Sequence, residues 1–273
     1  MTMANDDLSS LTRNPLKERL ARGELAASMS LRISRSHEIG RIAASAGFST
    51  LYVDLEHSVL SLETAAMLCH AAREAGVVPL VRVPGVDAAF IGRVLDGCAM
   101  GLILPHIEDA SQARAAVAAA MYPPRGGRSM GSGQALLHYR SFPAAQAASA
   151  LNASLFIAVM VESAAGLGAV DAIAAVDGVD MLFVGAGDLG AELGWADGDD
   201  DVVVAVFERV LAAARSHGKF VGAGGIANRP EVMRRVLRLG VRFVSTGTDL
   251  GFLASGAARQ LAVVTQAHQD ASA

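Results

Sequence analysis

Short apolar segments alternate with helical segments eight times along this chain, and this alternation limits the possible folds more than any other feature. The apolar segments include LYVDLEH, VPLVRVP, GLILPHI, SLFIAVMVE and MLFVGAGD. Continuous apolar runs of this length are typical of parallel strands that are buried on both faces. Eight strand/helix units with right-handed crossovers close most simply into a TIM (β/α)8 barrel. We therefore predict one barrel.

The same pattern gives approximate bounds for the elements. The first strand is expected near residues 25–33, and helices are expected at 36–46, from about Ser61, at 87–96, 109–121, 166–175, 202–217, 230–239 and from about 250. No linker is long enough to separate two domains, so residues 1–273 are predicted to form a single barrel domain. Residues 1–14 are polar at their start and are predicted to be a flexible N-terminal tail.

One segment, residues 122–143, is long and irregular (YPPRGGRSMGSGQALLHYRSFP). Loops of this length in compact domains are usually functional. We expect this segment to be a lid or an interface element.

Composition favours small-molecule chemistry. The chain is 52% hydrophobic and 18% charged, with a net charge of −4, and it has no basic cluster of the kind that binds nucleic acid. No apolar run is long enough to span a bilayer, and the start lacks the pattern of a signal peptide, so a soluble cytoplasmic protein is expected. Cys69 and Cys98 lack the spacing of a metal or redox motif and are interpreted as core residues.

Charged and imidazole side chains stand where the apolar runs end. In barrels and doubly wound sheets, ligands bind at the carboxyl ends of the strands. Such residues in an otherwise apolar run therefore predict an active site built from several strands, and the candidates are Glu56, His57, Arg82, His106, Glu162 and Asp188.

A dinucleotide-binding sheet is the alternative fold, because GAGDLG at 185–190 and GAGGIA at 222–227 fit the GxGxxG/A pattern. Asp188 would place a carboxylate where a pyrophosphate should bind. Neither motif is followed by an acidic residue about 20 positions later at the end of a strand. Both motifs also come late in the chain, so the barrel is favoured.

Glu162 and Asp188 are the candidate metal ligands. They follow neighbouring strands, and two carboxylates without a nearby Cys or His favour a hard cation such as Mg²⁺ or Mn²⁺. The alternative is that each carboxylate only caps the helix that follows it.

Three further residues are candidates for acid–base or anion chemistry. His57 beside Glu56 is a natural general base, because the pKa of histidine lies near neutral pH. Arg82 lies inside a strand and needs an anion, either a protein carboxylate or a substrate carboxylate. Asp96 ends a helix, where an acid is not favoured by the helix dipole, so it is expected to have a polar partner. His106 has a similar position to these residues but no partner that the sequence identifies.

Taken together, these segments resemble the HpcH/HpaI family of class II, metal-dependent pyruvate aldolases, which is related to the citrate lyase β subunit. The resemblance extends from about Pro15 to Leu253. Its motifs are NPLKERLARGE, YVDLEH, VPLVRVP, VLDGCAMGLILPHIEDASQAR, YPPRGGRSMG, VESAAGL, AVDGVDMLFVGAGDLGAELG and VSTGTDL.

The resemblance implies a role for each site residue. Glu162 and Asp188 would bind the divalent metal, with Mg²⁺ or Mn²⁺ favoured and Co²⁺ an option, and Glu56 would order metal-bound water. His57 would be the base, steadied by Asp96. Arg82 would bind the pyruvate oxygens and stabilise the enolate. The backbone N–H groups of Gly185, Ala186 and Gly187 would bind the pyruvate carboxylate. No Schiff-base lysine is needed, and the chain has only Lys17 and Lys219, neither at a predicted strand end.

The resemblance also implies an activity and an assembly: cleavage or formation of 4-hydroxy-2-keto acids through a pyruvate enolate, in a homo-oligomer such as a trimer of dimers whose C-terminal helices are exchanged. The chain departs from the family at Ser58 and Val59, at Met160 and at Ala186. These departures bear on substrate preference, and the aldehyde partner cannot be inferred. Two alternatives stay open: a related lyase or synthase with another acceptor such as a CoA thioester, and a non-catalytic keto-acid-binding barrel.

Overall fold

Eight parallel strands form a closed barrel. The computed structural model describes residues 7–196 and 198–272. Each strand pairs with the next in chain order, and the last pairs with the first. The predicted barrel is confirmed. Its strands are β1 Ala26–Leu31, β2 Thr50–Asp54, β3 Val78–Arg82, β4 Gly101–Leu104, β5 Phe156–Val161, β6 Met181–Gly185, β7 Phe220–Gly224 and β8 Phe243–Thr248.

Helices surround the barrel and cover one of its ends. Several begin where the sequence provides a capping residue: Ser61, Asp87 and Asp109 each accept a hydrogen bond from the backbone N–H three positions later. The helices are α1 Leu8–Leu11, α2 Pro15–Ala21, α3 Glu38–Ser45, α4 Leu62–Glu74, α5 Ala88–Asp96, α6 Ala110–Ala120, α7 Ala144–Ser154, α8 Ala164–Gly168, α9 Val170–Ala174, α10 Ala186–Leu193, α11 Asp200–Ser216, α12 Pro230–Leu239 and α13 Asp249–Ser272.

Large side chains fill the barrel interior. The rings of Tyr52, Phe183 and Phe243 pack edge to face, with centroids 6.3 Å and 5.7 Å apart. Leu16 and Leu20 of α2 pack into the same cluster from the amino ends of the strands. Side chains therefore fill the barrel interior below the carboxyl ends of the strands.

The glycines of the GAGGIA motif leave space for the aromatic side chains of the barrel interior. A Cβ on Gly222 or Gly224 would lie within 3 Å of the Phe183 ring. Both glycines belong to β7 in a closed barrel. The motif is therefore a packing feature of the barrel, and the dinucleotide-binding alternative is not the fold of this chain.

The predicted N-terminal tail, residues 1–14, is a packed segment from Asp7 onward. Residues 1–6 lie outside the described residues. Asp7 caps α1, and Leu11 is buried. The Asn14 side chain donates hydrogen bonds to the carbonyls of Met100 (3.2 Å) and Ser154 (2.7 Å). These contacts attach residues 7–14 to the amino end of the barrel.

The irregular segment at 122–143 also lies at the amino end, because it connects the end of α6 to α7 and then to the start of β5. It contains a 3₁₀ turn, Ala135–Leu137, and Leu137 packs in a cluster with Leu11 and Leu151. The segment therefore cannot be a lid over the carboxyl ends of its own strands. Its role as an interface element stays a prediction.

Cys69 and Cys98 are buried free thiols, as expected of core residues. Within residues 7–196 and 198–272, no helix combines the length and the apolar character needed to cross a membrane.

Candidate active site

A cavity of about 380 Å³ opens at the carboxyl ends of the strands. The predicted residues that line it are His57, Arg82, Gly185, Gly187 and Asp188. Other lining residues are Ser30, Arg32, Tyr52, Asp54, Met160, Phe183, Gly224, Gly225, Ala227, Asn228, Ser245, Gly247 and Thr248. The site is thus built from the ends of several strands, as the sequence predicted.

Asp54 and Arg82 form the most buried ion pair of the site. They are opposite each other in the register of β2 and β3. Nε of Arg82 donates to Oδ1 of Asp54 (2.9 Å), and Nη2 donates to Oδ2 (2.7 Å). Burial by itself would raise the pKa of Asp54, but the hydrogen bonds and charge of Arg82 outweigh it, so this pKa lies below its usual value. Arg82 is therefore held in a fixed orientation.

Arg82 also contacts Glu56, just beyond β2. Its Nη1 lies 2.9 Å from Oε2 of Glu56, as an ionic contact without hydrogen-bond alignment. The Sδ of Met160 is 4.0 Å from the same nitrogen. The sequence left open whether the anion of Arg82 is a protein or a substrate carboxylate. In this structure two protein carboxylates hold it, and its side chain lines the cavity.

His106 connects the two glutamates of the site. Its Nε2 is 2.8 Å from Oε1 of Glu56, and its backbone N–H donates to Oε1 of Glu162 (2.7 Å). The residue has a φ of 55°, which is uncommon for a side chain other than glycine. The left-handed conformation aims the backbone N–H and the ring at two different carboxylates. Sequence reasoning noted His106 at a strand end but missed this bridge, since backbone conformation is not visible in the sequence.

Glu162 is the most informative carboxylate, because it is only 4% exposed and one of its oxygens has no partner. Oε1 accepts from His106, while Oε2 is buried without a hydrogen-bond partner among the described residues. Burial raises the pKa of Glu162, and the charges of Glu56 and Asp188 add to this rise, against the lowering effect of His106. A buried, unpaired carboxylate oxygen is costly unless a cation binds it.

Gly185 leaves the space for this oxygen. A Cβ at Gly185 would lie 2.8 Å from Cβ of Glu162 and 2.9 Å from its Oε2. Any side chain at this position would therefore displace the carboxylate.

Asp188 lies in the first turn of α10, three residues after β6 ends, and not at the end of the strand as predicted. The strand ends early because the chain enters the helix at Ala186. Its exposed carboxylate lines the cavity, and β6 is paired with β5, which carries Glu162 at its end. The two predicted metal ligands are therefore brought together.

These residues fit a divalent cation. Two carboxylates, one of them with an unpaired buried oxygen, are a suitable donor set for a hard metal ion that keeps water or substrate in its other positions. In the described part of the chain, no group of three or more His, Cys, Asp or Glu side chains is arranged to hold a metal. The candidate side-chain ligands of a metal here are the carboxylates of Glu162 and Asp188.

The first turn of α10 is the candidate carboxylate-binding element. No side chain caps this helix, and Gly185 and Gly187 line the cavity, whereas Ala186 is buried. Uncapped backbone N–H groups at a helix start attract anions. Gly225 allows its backbone to pack closely against the first turn of α10, because a Cβ at this position would lie 2.7 Å from the Gly187 nitrogen. Its φ of 78° also favours glycine.

His57 is half exposed at the cavity wall. Its backbone N–H donates to Asp54 Oδ1 (3.2 Å), and its Nε2 is 3.8 Å from Oε2 of Glu56. The imidazole is thus accessible to a substrate.

Asp96 is not beside His57 within one subunit. It is the last residue of α5, and since helices of the barrel run antiparallel to the strands, this residue lies near the amino ends of the strands. Its Oδ1 accepts a hydrogen bond from Nη2 of Arg128 (2.7 Å), which explains the acid at a helix end. The predicted polar partner exists, but the prediction that Asp96 steadies His57 fails within one chain.

Neither lysine is at the cavity. Lys17 and Lys219 both lie near Asp180, at the amino ends of the strands, and Lys17 Nζ is 3.0 Å from Asp180 Oδ1. The site therefore offers no lysine amine to form a Schiff base.

Comparison with known proteins gives the family. The model of the HpcH/HpaI aldolase/citrate lyase family matches residues 29–256. This chain belongs to that family. Aldolases of this family generally depend on a divalent metal ion. The predicted resemblance is confirmed, and with it the assignment to carbon–carbon lyases.

Two relatives and one solved structure show the extent of the similarity. A 4-hydroxy-4-methyl-2-oxoglutarate aldolase of Hapsidospora irregularis is 38% identical, over 89% of this chain and 92% of its own. A 2-keto-3-deoxy-L-rhamnonate aldolase of Klebsiella pneumoniae is 33% identical, over 94% and 95%. The structure of an HpcH/HpaI aldolase from Desulfitobacterium hafniense matches with a TM-score of 0.82 at 29% identity, covering 91% and 96% of the two chains.

Proposed function

We propose that this chain cleaves and forms 4-hydroxy-2-keto acids, with pyruvate as the common product or donor. The observation that carries the proposal is the buried Glu162 carboxylate, whose Oε2 has no partner among the described residues and lies beside Gly185, which lines the cavity. The relatives named above act on hydroxy-keto acids, which agrees with this substrate class.

Glu162 and Asp188 would hold the divalent metal, for which Mg²⁺ or Mn²⁺ is the best match and Co²⁺ an option. When bound, such an ion supplies Lewis-acid polarisation of a carbonyl oxygen. Glu56 lies within the same network through His106 and Arg82, so it can order water at the site.

The chain's own groups position the keto acid. The uncapped N–H groups of Gly185, Ala186 and Gly187 would bind the carboxylate of pyruvate. Arg82, which lines the cavity, would bind the 2-keto oxygen. Because negative charge grows on this oxygen as the enolate forms, the contact with Arg82 strengthens in the transition state.

His57 would move the proton. In cleavage, an imidazole nitrogen takes the proton of the 4-hydroxyl group, a carbonyl forms at C4, and the electrons of the C3–C4 bond become those of the enolate. Return of the proton to C3 then gives the methyl group of pyruvate. In synthesis, the same nitrogen removes a methyl proton and the enolate adds to the carbonyl acceptor.

The test needs no knowledge of the acceptor. Exchange of the pyruvate methyl hydrogens in D₂O, followed by NMR, reports enolate formation alone. We expect exchange with added Mg²⁺ or Mn²⁺, its loss in EDTA, and a loss of about 10²- to 10⁴-fold in His57→Ala. His217→Ala, at an exposed helix end far from the cavity, is the matched control and should exchange like wild type. Absence of exchange with every metal would favour another acceptor chemistry or a binding role.

We further propose that α13 is exchanged between subunits of a homo-oligomer, such as a trimer of dimers. Only Asp249 of its 24 residues is buried. Exposed apolar patches of this kind usually mark an interface, and the large apolar side chains exposed on α13 are Leu250, Phe252, Leu253, Leu261, Val263 and Val264. Light scattering of the full chain should give the mass of six subunits, and a monomer would contradict the proposal. If Asp96 contacts His57 at all, it must do so between subunits.

A further inference from the structure

Arg32 is a second arginine of the cavity, and neither the family pattern nor the proposed reaction assigns it a role. It directly follows β1, and its side chain lines the cavity and is 37% exposed. Its Nε donates to Oδ2 of Asp54 (2.8 Å). No other side-chain hydrogen bond of Arg32 is found among the described residues, so its two Nη groups remain available to a ligand.

Asp54 does not need Arg32 for its own neutralisation. Arg82 already binds both oxygens of Asp54, and the backbone N–H groups of Glu56 and His57 donate to Oδ1 (3.2 Å each). With Nε turned toward Asp54, the Nη1 and Nη2 edge of Arg32 is the part that can meet a second carboxylate with two parallel hydrogen bonds.

The backbone around Arg32 is fixed, so the side chain starts from a defined position. The buried Asp249 carboxylate, at the first residue of α13, accepts hydrogen bonds from the backbone N–H of Arg32 (2.9 Å), Ile33 (3.1 Å) and Ser34 (2.7 Å). A rigid support of this kind lowers the entropy cost of binding a ligand.

Arg32 lies beside Arg82, since both donate to Oδ2 of Asp54, but it lies on the opposite side of the barrel from the metal ligands. The metal ligands and the α10 start follow β5 and β6, and Arg82 ends β3. In a closed barrel of eight strands taken in order, β1 is opposite β5. Arg32 therefore lies on the β1 side of Arg82, away from the metal ligands, and a substrate that extends past Arg82 toward β1 would place its acceptor half beside it.

The wall near Arg32 is polar. Ser30 Oγ lies 3.1 Å from Ser245 Oγ, and Asn228 and Thr248 complete this side of the cavity. Hydroxyl and amide groups beside a guanidinium suit a short, oxygen-rich anion better than an alkyl chain.

We propose that Arg32 binds a carboxylate on the acceptor half of the substrate. The preferred substrate is then a dicarboxylic 4-hydroxy-2-keto acid, which gives pyruvate and a second carbonyl compound that itself bears a carboxylate. This inference rests on the proposed aldolase function, because it requires the pyruvate half of the substrate to be bound at Arg82 and the metal ligands.

The test compares two acceptors of similar size in the aldol addition of pyruvate: glyoxylate, which carries a carboxylate, and the neutral glycolaldehyde. For each enzyme form, the measured quantity is kcat/KM for glyoxylate divided by kcat/KM for glycolaldehyde. We expect wild type to prefer glyoxylate, and Arg32→Gln to lower the ratio by about 10- to 100-fold, as for a lost charged hydrogen-bond pair.

Two further variants sharpen the result. Arg32→Lys keeps the charge but loses the paired nitrogens, so its ratio should fall between those of wild type and Arg32→Gln. Arg35→Gln removes the same charge from the same loop, but Arg35 is exposed and bonds only to the Ile33 carbonyl, so the ratio should not change. It is the matched control.

The outcomes are distinct. An equal loss for both acceptors in Arg32→Gln and Arg32→Lys would overturn the proposal and leave Arg32 as a support for Asp54. A wild-type preference for glycolaldehyde would overturn it as well. Failure of the proposed function itself would appear earlier, as absence of metal-dependent pyruvate exchange, a reaction that needs no acceptor.

Discussion

Two carboxylates at opposite ends of the barrel, the buried Glu162 and the half-buried Asp180, have the same kind of pKa shift but different surroundings. Burial is the largest cause of a raised pKa in both. At the amino end, Asp180 is satisfied: Oδ2 accepts from the Ile157 N–H (2.8 Å), and Oδ1 contacts Lys17 (3.0 Å). At the carboxyl end, Oε2 of Glu162 has no partner in the described structure. The comparison teaches that a raised pKa alone does not mark a functional carboxylate, whereas an unpaired buried oxygen does.

The wider surroundings repeat this contrast. The amino end is covered by α1, α2 and the 122–143 segment, and its polar groups pair with each other, as Asn14 does with two carbonyls. The carboxyl end contains a left-handed His106, an uncapped α10 and an open cavity. Unsatisfied and strained groups are retained where a ligand completes them.

The largest expected effect comes from exchanging each carboxylate for its amide. Glu162→Gln should lose metal-dependent pyruvate exchange by at least about 10³-fold, because a metal ligand and its charge are gone. Asp180→Asn should keep exchange, since the amide oxygen can still accept from Ile157. Pyruvate exchange measured by NMR at saturating Mg²⁺ or Mn²⁺ compares the two variants directly. An equal loss of pyruvate exchange in both variants would contradict the conclusion that Glu162, and not Asp180, is the functional carboxylate.

A second comparison uses two glycines that tolerate no Cβ for different reasons. Gly185→Ala would press on Glu162, so it should weaken metal binding by about 10- to 100-fold, as for a disturbed ligand orientation. Gly222→Ala would press on Phe183 and Met181 in the interior, so it should cost about 1–3 kcal/mol of unfolding free energy and leave metal affinity intact. Isothermal titration with Mn²⁺ and thermal unfolding separate these effects. A Gly185→Ala protein with normal Mn²⁺ affinity would show that the carboxylate is not held in place by this glycine.

The smallest expected effect is on the pH dependence of stability, to which Asp249 at the carboxyl end and Asp180 at the amino end contribute with opposite signs. Burial opposes ionisation of Asp249, but hydrogen bonds from the Ser34 side chain and from the backbone of Arg32, Ser34 and Ile33 outweigh it and lower its pKa below 3.8. Its stabilisation is therefore present above pH 3.8 and lost as the pH falls through the folded-state pKa. The pKa of Asp180 is raised above 3.8, so the protein gains stability at Asp180 as the pH falls through that raised value.

Thermal unfolding between pH 3 and 6 measures both signs. The Tm of wild type relative to Asp249→Asn should decrease toward low pH, and its Tm relative to Asp180→Asn should increase. If both Tm differences changed with pH in the same direction, the opposite pKa shifts of Asp249 and Asp180 would be contradicted.

Much of the fold was predictable because its signals are local. Apolar runs predicted the strands, and Ser61, Asp87 and Asp109 stand at helix starts as capping residues should. Glu162, Asp188, Arg82 and His57 were predicted as candidates because they stand where apolar runs end, and ligands bind at the carboxyl ends of such strands. What the sequence could not show was the position of distant elements: Asp96 lies away from His57 within one chain, and the 122–143 segment, expected to be a lid or an interface element, lies at the amino end.

The sequence by itself determined the order of strands and helices, the barrel, and the residue types at the carboxyl ends, because these depend on side-chain periodicity and on short-range capping. Only the tertiary structure decided which of these charges meet. The β2–β3 register joins Asp54 to Arg82, the left-handed backbone of His106 joins Glu56 to Glu162, and closure of the barrel sets Arg32 across from the metal ligands. Such pairings join residues separated by tens or hundreds of positions, and their free energy depends on register, closure and desolvation, which no local pattern encodes.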